Sequence, residues 1–227
     1  MRGIVLLLAA GEGTRLGEAS SDPKAFLSVG GVPVIRRAFE AAMGAELVDG
    51  VIVAAPPGDE RRVTSLLPPD AGRSVIVVGG GETRQASAAA ALAAAPDDTA
   101  AFLVHDAARA LAPSSLFDDV LRMLDSCEAA CPARSVVDTI KVVERDVITS
   151  TLDRSALVAV ETPQGVRADL YRRAHASAAE DGYLGTDDVS LVERLGVPVR
   201  IVRSVAPNPK ITYPADVALA EVILERS

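Results

Sequence analysis

Residues 3–17 read GIVLLLAAGEGTRLG, and this stretch decides the prediction of the fold. The run 3–9 is apolar without interruption, which is typical of a strand that is buried on both faces of a parallel sheet. Gly11, Gly13 and Gly17 follow it directly. Because glycine-rich turns let backbone N–H groups converge on phosphate oxygens, the sequence predicts a phosphate-binding loop at the carboxyl end of the first strand.

This loop matches neither of two common glycine-rich phosphate motifs. A dinucleotide-binding loop would have Gly or Ala in place of Leu16, and a Walker loop would continue into Gly-Lys-Ser or Gly-Lys-Thr. The loop instead contains Arg15, and Lys24 follows nine residues later. Two cations beside one glycine-rich turn suit a triphosphate, whose charge grows at the leaving pyrophosphate. A plain turn with two solvated cations is the alternative interpretation.

Short β-branched runs alternate with helix-like stretches along residues 1–136. The predicted strands span 3–9, 51–55, 74–78, 101–105 and 129–136, and the predicted helices span 33–43, 60–66, 83–94 and 114–127. This order is typical of a mostly parallel sheet that is covered by helices on both faces. The sequence therefore predicts an α/β fold of three layers with Rossmann-like order.

Residues 138–164 break this alternation. Two β-branched runs, 139–143 and 147–152, are joined by the polar Glu144-Arg145-Asp146, and they predict a projecting hairpin, the β-arm. A projecting hairpin exposes strand edges, which proteins commonly cover with another subunit. We therefore predict a homodimer that forms through this arm.

The rest of the chain returns to helices and short strands. The prediction is a helix at 168–180, a helix at 187–195 with Thr186 as its cap, a strand at 199–202, a short strand at 210–212 and a last helix after Pro214.

The composition fits one domain over residues 1–227. The formal net charge of −8 argues against broad binding to nucleic acid or anionic membranes, because polyanions are repelled at long range. The apolar start lacks a signal-peptide cleavage pattern, and no apolar run approaches the roughly 20 residues of a membrane span. Cys127 and Cys131 lack partners for a zinc site, so we expect reduced thiols and a cytoplasmic protein.

Two more segments with candidate ligand groups follow predicted strands, where open α/β sheets bind ligands. The glycines of Gly79-Gly80-Gly81-Glu82-Thr83-Arg84 would let the backbone approach a flat base, with Ser87 one turn along. Asp106 could hold Mg²⁺, which takes one or two carboxylates together with phosphate oxygens. Arg109 could pair with a phosphate through two hydrogen bonds. A flexible turn and a plain Asp–Arg ion pair are the alternatives.

Two further residues are weak signals when each is taken alone. Lys210 lies between a turn and a predicted strand, where its ammonium group can point at a developing charge. His105 ends an apolar strand, and a structural role is favoured over a role as a general base.

Taken together and in order, the motifs resemble one family. They are AAGEGTRLG (9–17), PKAFLSVGGVPV (23–34), GGGETRQAS (79–87), LVHDAAR (103–109), DTIKVV (138–143), TLDR (151–154), VETPQGV (160–166), GTDDVSLVE (185–193) and NPKITYPADVALAE (208–221). This series, which covers nearly the whole chain, is similar to the 2-C-methyl-D-erythritol 4-phosphate cytidylyltransferases of the non-mevalonate isoprenoid pathway.

The resemblance implies a nucleotidyltransferase fold, CTP and a polyol phosphate as substrates, and Mg²⁺ as cofactor. The reaction would transfer CMP to 2-C-methyl-D-erythritol 4-phosphate and release pyrophosphate. The implied catalytic residues are Arg15, Lys24 and Lys210, and the implied nucleotide-binding residues are Ala9, Ala10, Gly11, Gly13, Gly81, Glu82, Arg84 and Ser87. The implied substrate-binding residues are Asp106, Arg109, Thr139, Arg154, Thr162, Thr186 and Thr212, of which Asp106 would also bind the metal and Thr139 and Arg154 would come from the neighbouring subunit's arm.

Other functions stay open at this point. A ribitol-5-phosphate cytidylyltransferase would share the fold and the loops. A non-catalytic nucleotide-binding paralogue would be expected to lose one of the three cations, and all three are present. A sugar-1-phosphate transferase would leave the arm and the 208–212 segment without an explanation. A metal-dependent glycosyltransferase would show Asp-x-Asp at a strand end, where this chain has Asp106-Ala107-Ala108.

Overall fold

The computed structural model of the chain describes residues 1–11, 23–68, 72–204 and 206–226. The strands in these ranges are β1 (Gly3–Leu8), β2 (Ser28–Val29), β3 (Val32–Pro33), β4 (Val48–Ala55), β5 (Ser74–Gly79), β6 (Ala101–Asp106), β7 (Ala129–Ser135), β8 (Lys141–Glu144), β9 (Val147–Thr151), β10 (Val158–Val160), β11 (Gln164–Arg167) and β12 (Val199–Arg203). The helices are α1 (Val34–Met43), α2 (Glu60–Leu66), α3 (Arg84–Ala93), α4 (Ser114–Met123), α5 (Ala168–Glu180), α6 (Asp188–Arg194) and α7 (Pro214–Glu225).

The first strand lies inside an eight-stranded sheet, between β4 and β6. Strands β1, β4, β5 and β6 are mutually parallel, and β12 runs parallel to β7. Strand β11 joins the two parallel groups by antiparallel pairing with both β6 and β7. The prediction of a mostly parallel sheet is therefore confirmed, and the carboxyl ends of β1, β4, β5 and β6 meet at one edge.

Helices cover both faces of the sheet, and the alternation of side chains along β1 shows why that strand is apolar throughout. Val5 and Leu7 pack on the face that carries α1, α2 and α4. Ile4, Leu6 and Leu8 pack on the opposite face, which carries α3, α5 and α6. Because successive side chains of a strand point to opposite faces, both faces of β1 must be apolar. The three-layer prediction is confirmed.

The segment predicted as an arm is in part a piece of the main sheet. Strand β10 pairs with β7 and strand β11 begins at Gln164, so within residues 138–164 the strands that lie outside the main sheet are β8 and β9, which pair with each other. The sequence did not predict that β10 and β11 each pair antiparallel with strands of the main sheet. Residues 158–160 read as a continuation of the hairpin, and residues 164–167 have little β-branched content. The projecting part is the β8–β9 hairpin, whose residues are all exposed.

Three local predictions were wrong. Helix α4 ends at Met123 and not at Cys127, because the amides of Asp125 and Ser126 bond to carbonyls three residues back and tighten the last turn. The cap of α6 is Asp187 and not Thr186; its carboxylate accepts from the amide of Ser190. Residues 210–212 form no strand.

The 210–212 segment is instead fixed by a small apolar cluster. Ile211 is fully buried against Val29, Val34, Ala110 and Ala220 of α7. Its amide donates to the carbonyl of Ala108 at 2.9 Å. This contact ties the segment to the loop that follows β6. No helix in the described part of the chain has the length and apolar character needed to cross a membrane.

Candidate active site

A cleft of about 770 Å³ opens at the carboxyl ends of β1, β5 and β6. Its lining joins four of the segments singled out in the sequence, since it contains backbone and side chains from 8–11, 23–25, 81–87 and 106–108. Lys210 and Thr212 close it from the C-terminal part of the chain. The edge of the sheet thus gathers Gly11, the turn at Gly81 and most of the candidate charges into one site.

Close packing explains two of the glycines in and beside this lining. A Cβ atom on Gly80 would lie 2.3 Å from the Cβ of Ala10, and one on Gly81 would lie 2.6 Å from the Cβ of Ala86. The hydroxyl of the buried Ser87 accepts from the amide of Gly81 at 3.1 Å and donates to the carbonyl of Thr83 at 3.0 Å. Ser87 therefore holds the turn in shape beside the first loop.

Asp106 is the central carboxylate of the cleft. Its Oδ1 accepts from Nε of Arg84 at 3.0 Å, and its Oδ2 accepts from Nζ of Lys210 at 2.6 Å. Burial alone would raise the pKa of Asp106, but the charges and hydrogen bonds of Arg84 and Lys210 outweigh burial and hold that pKa well below its usual value. Asp106 is therefore ionised at neutral pH, and it fixes both cations at the cleft.

Lys210 reaches this carboxylate because its neighbour is anchored. The burial of Ile211 and its bond to Ala108 hold the backbone beside the end of β6. Lys24, the other described catalytic candidate, begins a short 3-10 turn whose residues Ala25 and Phe26 are buried. Both lysines are thus carried by segments that apolar contacts hold in place.

Thr162 lies behind Asp106 and is buried. Its Oγ1 accepts from the amide of Asp106 at 3.1 Å and lies 2.9 Å from Nδ1 of His105. Burial lowers the pKa of His105 to about 4, so the imidazole is neutral at physiological pH, and its ring packs on Phe117. These contacts agree with a structural role for His105.

Comparison with known proteins adds the decisive observation. A family model described as 2-C-methyl-D-erythritol 4-phosphate cytidylyltransferase matches residues 4–226. The chain belongs to this family. The 2-C-methyl-D-erythritol 4-phosphate cytidylyltransferase of Nocardia farcinica (strain IFM 10152) is 48% identical over 225 residues, which cover 98% of this chain and 94% of that protein.

Two further proteins of this cytidylyltransferase family are similar to the chain over nearly its whole length. The protein of the same name from Symbiobacterium thermophilum is 43% identical, and the match covers 97% of this chain and 92% of that protein. The 2-C-methyl-D-erythritol 4-phosphate cytidylyltransferase from Thermus thermophilus, known as a crystal structure, is 36% identical, with a TM-score of 0.80 over 100% of both chains. The prediction of a nucleotidyltransferase enzyme of this family is confirmed.

Several residues that the family resemblance implied do not line the cleft in the described part of this single chain. Arg109 donates to the carbonyls of Asn208 at 2.7 Å and Val160 at 3.3 Å. Arg154 donates to the carbonyl of Val137 at 2.7 Å, near the base of the hairpin. Thr139 and Thr186 are exposed. Gly13 and Arg15 lie outside the described residues.

Sequence reasoning missed three buried residues behind Arg84. Nη1 of Arg84 donates to Oδ2 of Asp188 at 2.6 Å, and the hydroxyl of Tyr171 donates to Oδ1 of the same carboxylate at 2.5 Å. Gln164 accepts from the amide of Asp188 at 2.9 Å. Asp188 follows another acid at the start of a helix, so it reads as a residue of the helix start and nothing nearby in sequence indicates its partners.

A divalent cation that the family implies can be tested against the donors present. Among the described residues, no group of three or more His, Cys, Asp or Glu side chains comes together. Asp59, Glu82 and Asp106 line the cleft, and each oxygen of Asp106 accepts from one cation. One carboxylate completed by phosphate oxygens is a common arrangement for Mg²⁺, so the donor set fits a metal that arrives with the triphosphate.

Proposed function

We propose that this protein transfers CMP from CTP to 2-C-methyl-D-erythritol 4-phosphate, which gives 4-diphosphocytidyl-2-C-methyl-D-erythritol and pyrophosphate for non-mevalonate isoprenoid biosynthesis. One observation carries the proposal. In a chain of this family, Gly11, Gly81 and the charges of Lys24, Arg84, Asp106 and Lys210 line one cleft at the carboxyl edge of the sheet. That is where open α/β sheets bind nucleotides.

The reaction needs no covalent intermediate on the enzyme. The phosphate of the acceptor is already ionised near neutral pH, and one of its oxygens would attack the α-phosphorus of CTP in line as the bond to pyrophosphate breaks. Positioning supplies much of the acceleration of such a step. Negative charge grows on the α-phosphate oxygens and on pyrophosphate, and Lys24, Lys210 and Arg15 would stabilise it.

The two ends of CTP would meet different parts of the cleft. The backbone of Ala9, Ala10 and Gly11, continued by Gly13, would bind the triphosphate. Gly81, Glu82 and Ser87 would face the cytosine and ribose, because all three line the cleft on the side of α3. Arg84 lies between these two parts and holds Asp106, and Thr212 lines the acceptor side with Lys210.

Asp106 would hold Mg²⁺ together with phosphate oxygens. When bound there, the metal would neutralise phosphate charge as a Lewis acid. Asp106 itself fixes Lys210 at 2.6 Å, so the ammonium group stays beside the reacting phosphate without a search through its rotamers.

The acceptor pocket would be completed by a second subunit. Val147 and Ile148 of the β8–β9 hairpin are 62% and 60% exposed, which favours burial against another copy of the chain. In such a homodimer, Thr139 and Arg154 at the base of the hairpin would reach the partner's cleft and join Arg109, Thr162 and Thr186. The cytoplasm stays the predicted location on the compositional grounds given above.

Pyrophosphate release tests the function directly. We expect pyrophosphate release with CTP and methylerythritol phosphate. Release should be slow at most when UTP replaces CTP or when ribitol 5-phosphate replaces methylerythritol phosphate. Faster turnover of ribitol 5-phosphate would reassign the acceptor. No release with either acceptor, together with measurable CTP binding in calorimetry, would indicate a non-catalytic nucleotide-binding protein.

A further inference from the structure

The Arg84 guanidinium bridges two carboxylates that lie on opposite sides of it. Nε donates to Asp106 at the cleft, and Nη1 donates to Asp188, whose side chain is 2% exposed. Within the described residues, Nη2 is buried without an acceptor. The plane of the guanidinium is therefore set by these two carboxylates, of which Asp106 lines the cleft and Asp188 is buried behind it.

Tyr171 fixes the other oxygen of Asp188. Its ring is fully buried in α5, with Phe102 at 5.8 Å and His175 at 4.5 Å between ring centroids. The two rings pack against the tyrosine ring, and its hydroxyl donates to Oδ1 of Asp188 at 2.5 Å. Burial and the charge of Asp188 raise the pKa of Tyr171 well above its usual value, so the phenol stays protonated and donates.

Gln164 fixes the backbone that carries Asp188. Its Oε1 accepts from the amides of Asp188 at 2.9 Å and Val189 at 3.1 Å, and its Nε2 donates to Asp187 at 2.8 Å. The first turn of α6 is therefore bound to the start of β11. Both the main chain and the carboxylate of Asp188 are held from the core.

We propose that Tyr171 and Asp188 are positioning residues of the reaction, which hold the Arg84 guanidinium and through it the Asp106 carboxylate in the orientation that turnover needs. This inference rests on the proposed function. It does not require Tyr171 or Asp188 to touch a substrate. The hydroxyl of Tyr171 satisfies Asp188, Asp188 orients Arg84, and Arg84 together with Lys210 aims Asp106.

A double-mutant cycle separates positioning from general stabilisation. The variants are Tyr171→Phe, Arg84→Ala and the pair, made in the full chain and assayed with labelled CTP over hours so that slow variants stay measurable. Because a small misplacement of reacting groups can cost about 10²-fold, we expect Tyr171→Phe to lower kcat/KM for CTP roughly 10-fold to 100-fold. In the Arg84→Ala background the same substitution should change kcat/KM by less than about twofold.

Two control variants match the chemistry of the substitutions. Tyr183→Phe removes an exposed tyrosine hydroxyl and should leave kcat/KM unchanged. Asp118→Asn alters a buried carboxylate that accepts from the amides of Glu46 and Leu47, at the sheet edge opposite the cleft. It should lower the unfolding temperature without lowering kcat/KM, whereas Asp188→Asn should lower both.

The outcomes distinguish the two proposals. Wild-type protein without turnover on any acceptor contradicts the proposed function. Active wild type with normal kcat/KM in Tyr171→Phe, or an equal loss in both backgrounds, overturns the positioning role. If Arg84→Ala has no measurable turnover, the same cycle is read in CTP dissociation constants, where additive effects overturn the role and coupled effects support it.

Discussion

The cleft and the β8–β9 hairpin expose different kinds of side chain to solvent. In the cleft, Arg84 and Lys210 both pair with Asp106, and each of the three is carried by a segment that is anchored in the core. In the hairpin, apolar side chains such as Val143, Val147 and Ile148 are more than half exposed. The cleft is largely assembled by one chain, whereas the hairpin has the composition of a surface that another chain covers. In the homodimer that we propose, the second subunit would cover the hairpin.

The largest expected effect is the removal of a cleft cation. Lys210→Met keeps the aliphatic stem and removes the ammonium group, so it should lower kcat about 10²-fold to 10³-fold, or about 3–4 kcal/mol of transition-state stabilisation. Lys141→Met removes an exposed lysine in the hairpin, where Nζ bonds to Thr151. It should retain kcat within about twofold, because this ammonium group bonds within the hairpin and does not line the cleft. Equal losses of kcat in the two variants would contradict the assignment of the catalytic cation to the cleft.

The contrast also separates what the sequence could predict from what it could not. The order of strands and helices was predictable because the spacing of apolar residues that marks each element lies within a short stretch of sequence. Residues 60–66 and 168–180, for example, are helices with the predicted ends. The cleft was predictable because strand ends of a parallel sheet meet at one edge. Tyr171, Asp188 and Gln164 were not, because their bonds join residues 17 and 24 positions apart in different elements.

The hairpin offers the next largest effect. Replacing both Val147 and Ile148 by Glu places charge on the exposed apolar surface and should convert a dimer into a monomer in sedimentation velocity. If Arg154 of one subunit contacts the acceptor of the other, KM for methylerythritol phosphate should rise about 10-fold to 100-fold, the loss of one charged hydrogen bond. Leu219→Glu in α7, at a position that is 50% exposed, is the control and should change neither quantity. A wild type that is monomeric and fully active at micromolar concentration would contradict the shared site.

The ion pairs of the cleft predict a pH dependence of stability that comes from Asp106. In the unfolded chain the carboxyl of Asp106 titrates near 3.8, whereas in the folded protein its pKa is lower. Its ionised form therefore stabilises the fold fully above the unfolded value, and this contribution is lost as the pH falls from about 4 through the folded pKa. The difference in unfolding free energy between wild type and Asp106→Asn should be constant above about pH 5 and shrink below pH 4.

Chemical denaturation from about pH 2.5 to about pH 7 measures that difference across the window in which the carboxyl titrates. Asp49→Asn, which breaks the exposed ion pair with Arg2, is the matched control and should show little change with pH. A difference for Asp106→Asn that grows toward acid would mean that Asp106 is destabilised as an anion in the fold, against the contacts with Arg84 and Lys210.

The smallest expected effect comes from substitutions in the turn of the hairpin. They test whether the hairpin is packed against a second subunit. Arg145 and Asp146 have φ of 47° and 64°, in the left-handed region that costs side-chain-bearing residues about 1–2 kcal/mol each. Arg145→Asn combined with Asp146→Gly introduces the pair that turns of this kind favour, so the hairpin should gain about 1 kcal/mol.

A hairpin that unfolds on its own would not pass this gain to the rest of the protein. A hairpin clamped between subunits would, and the unfolding midpoint should then rise by about 2–4 °C. We expect that rise in the wild-type background and none in the variant with Glu at 147 and 148, because only the dimer couples the turn to global unfolding. An equal rise in both backgrounds would show that the hairpin folds with its own subunit.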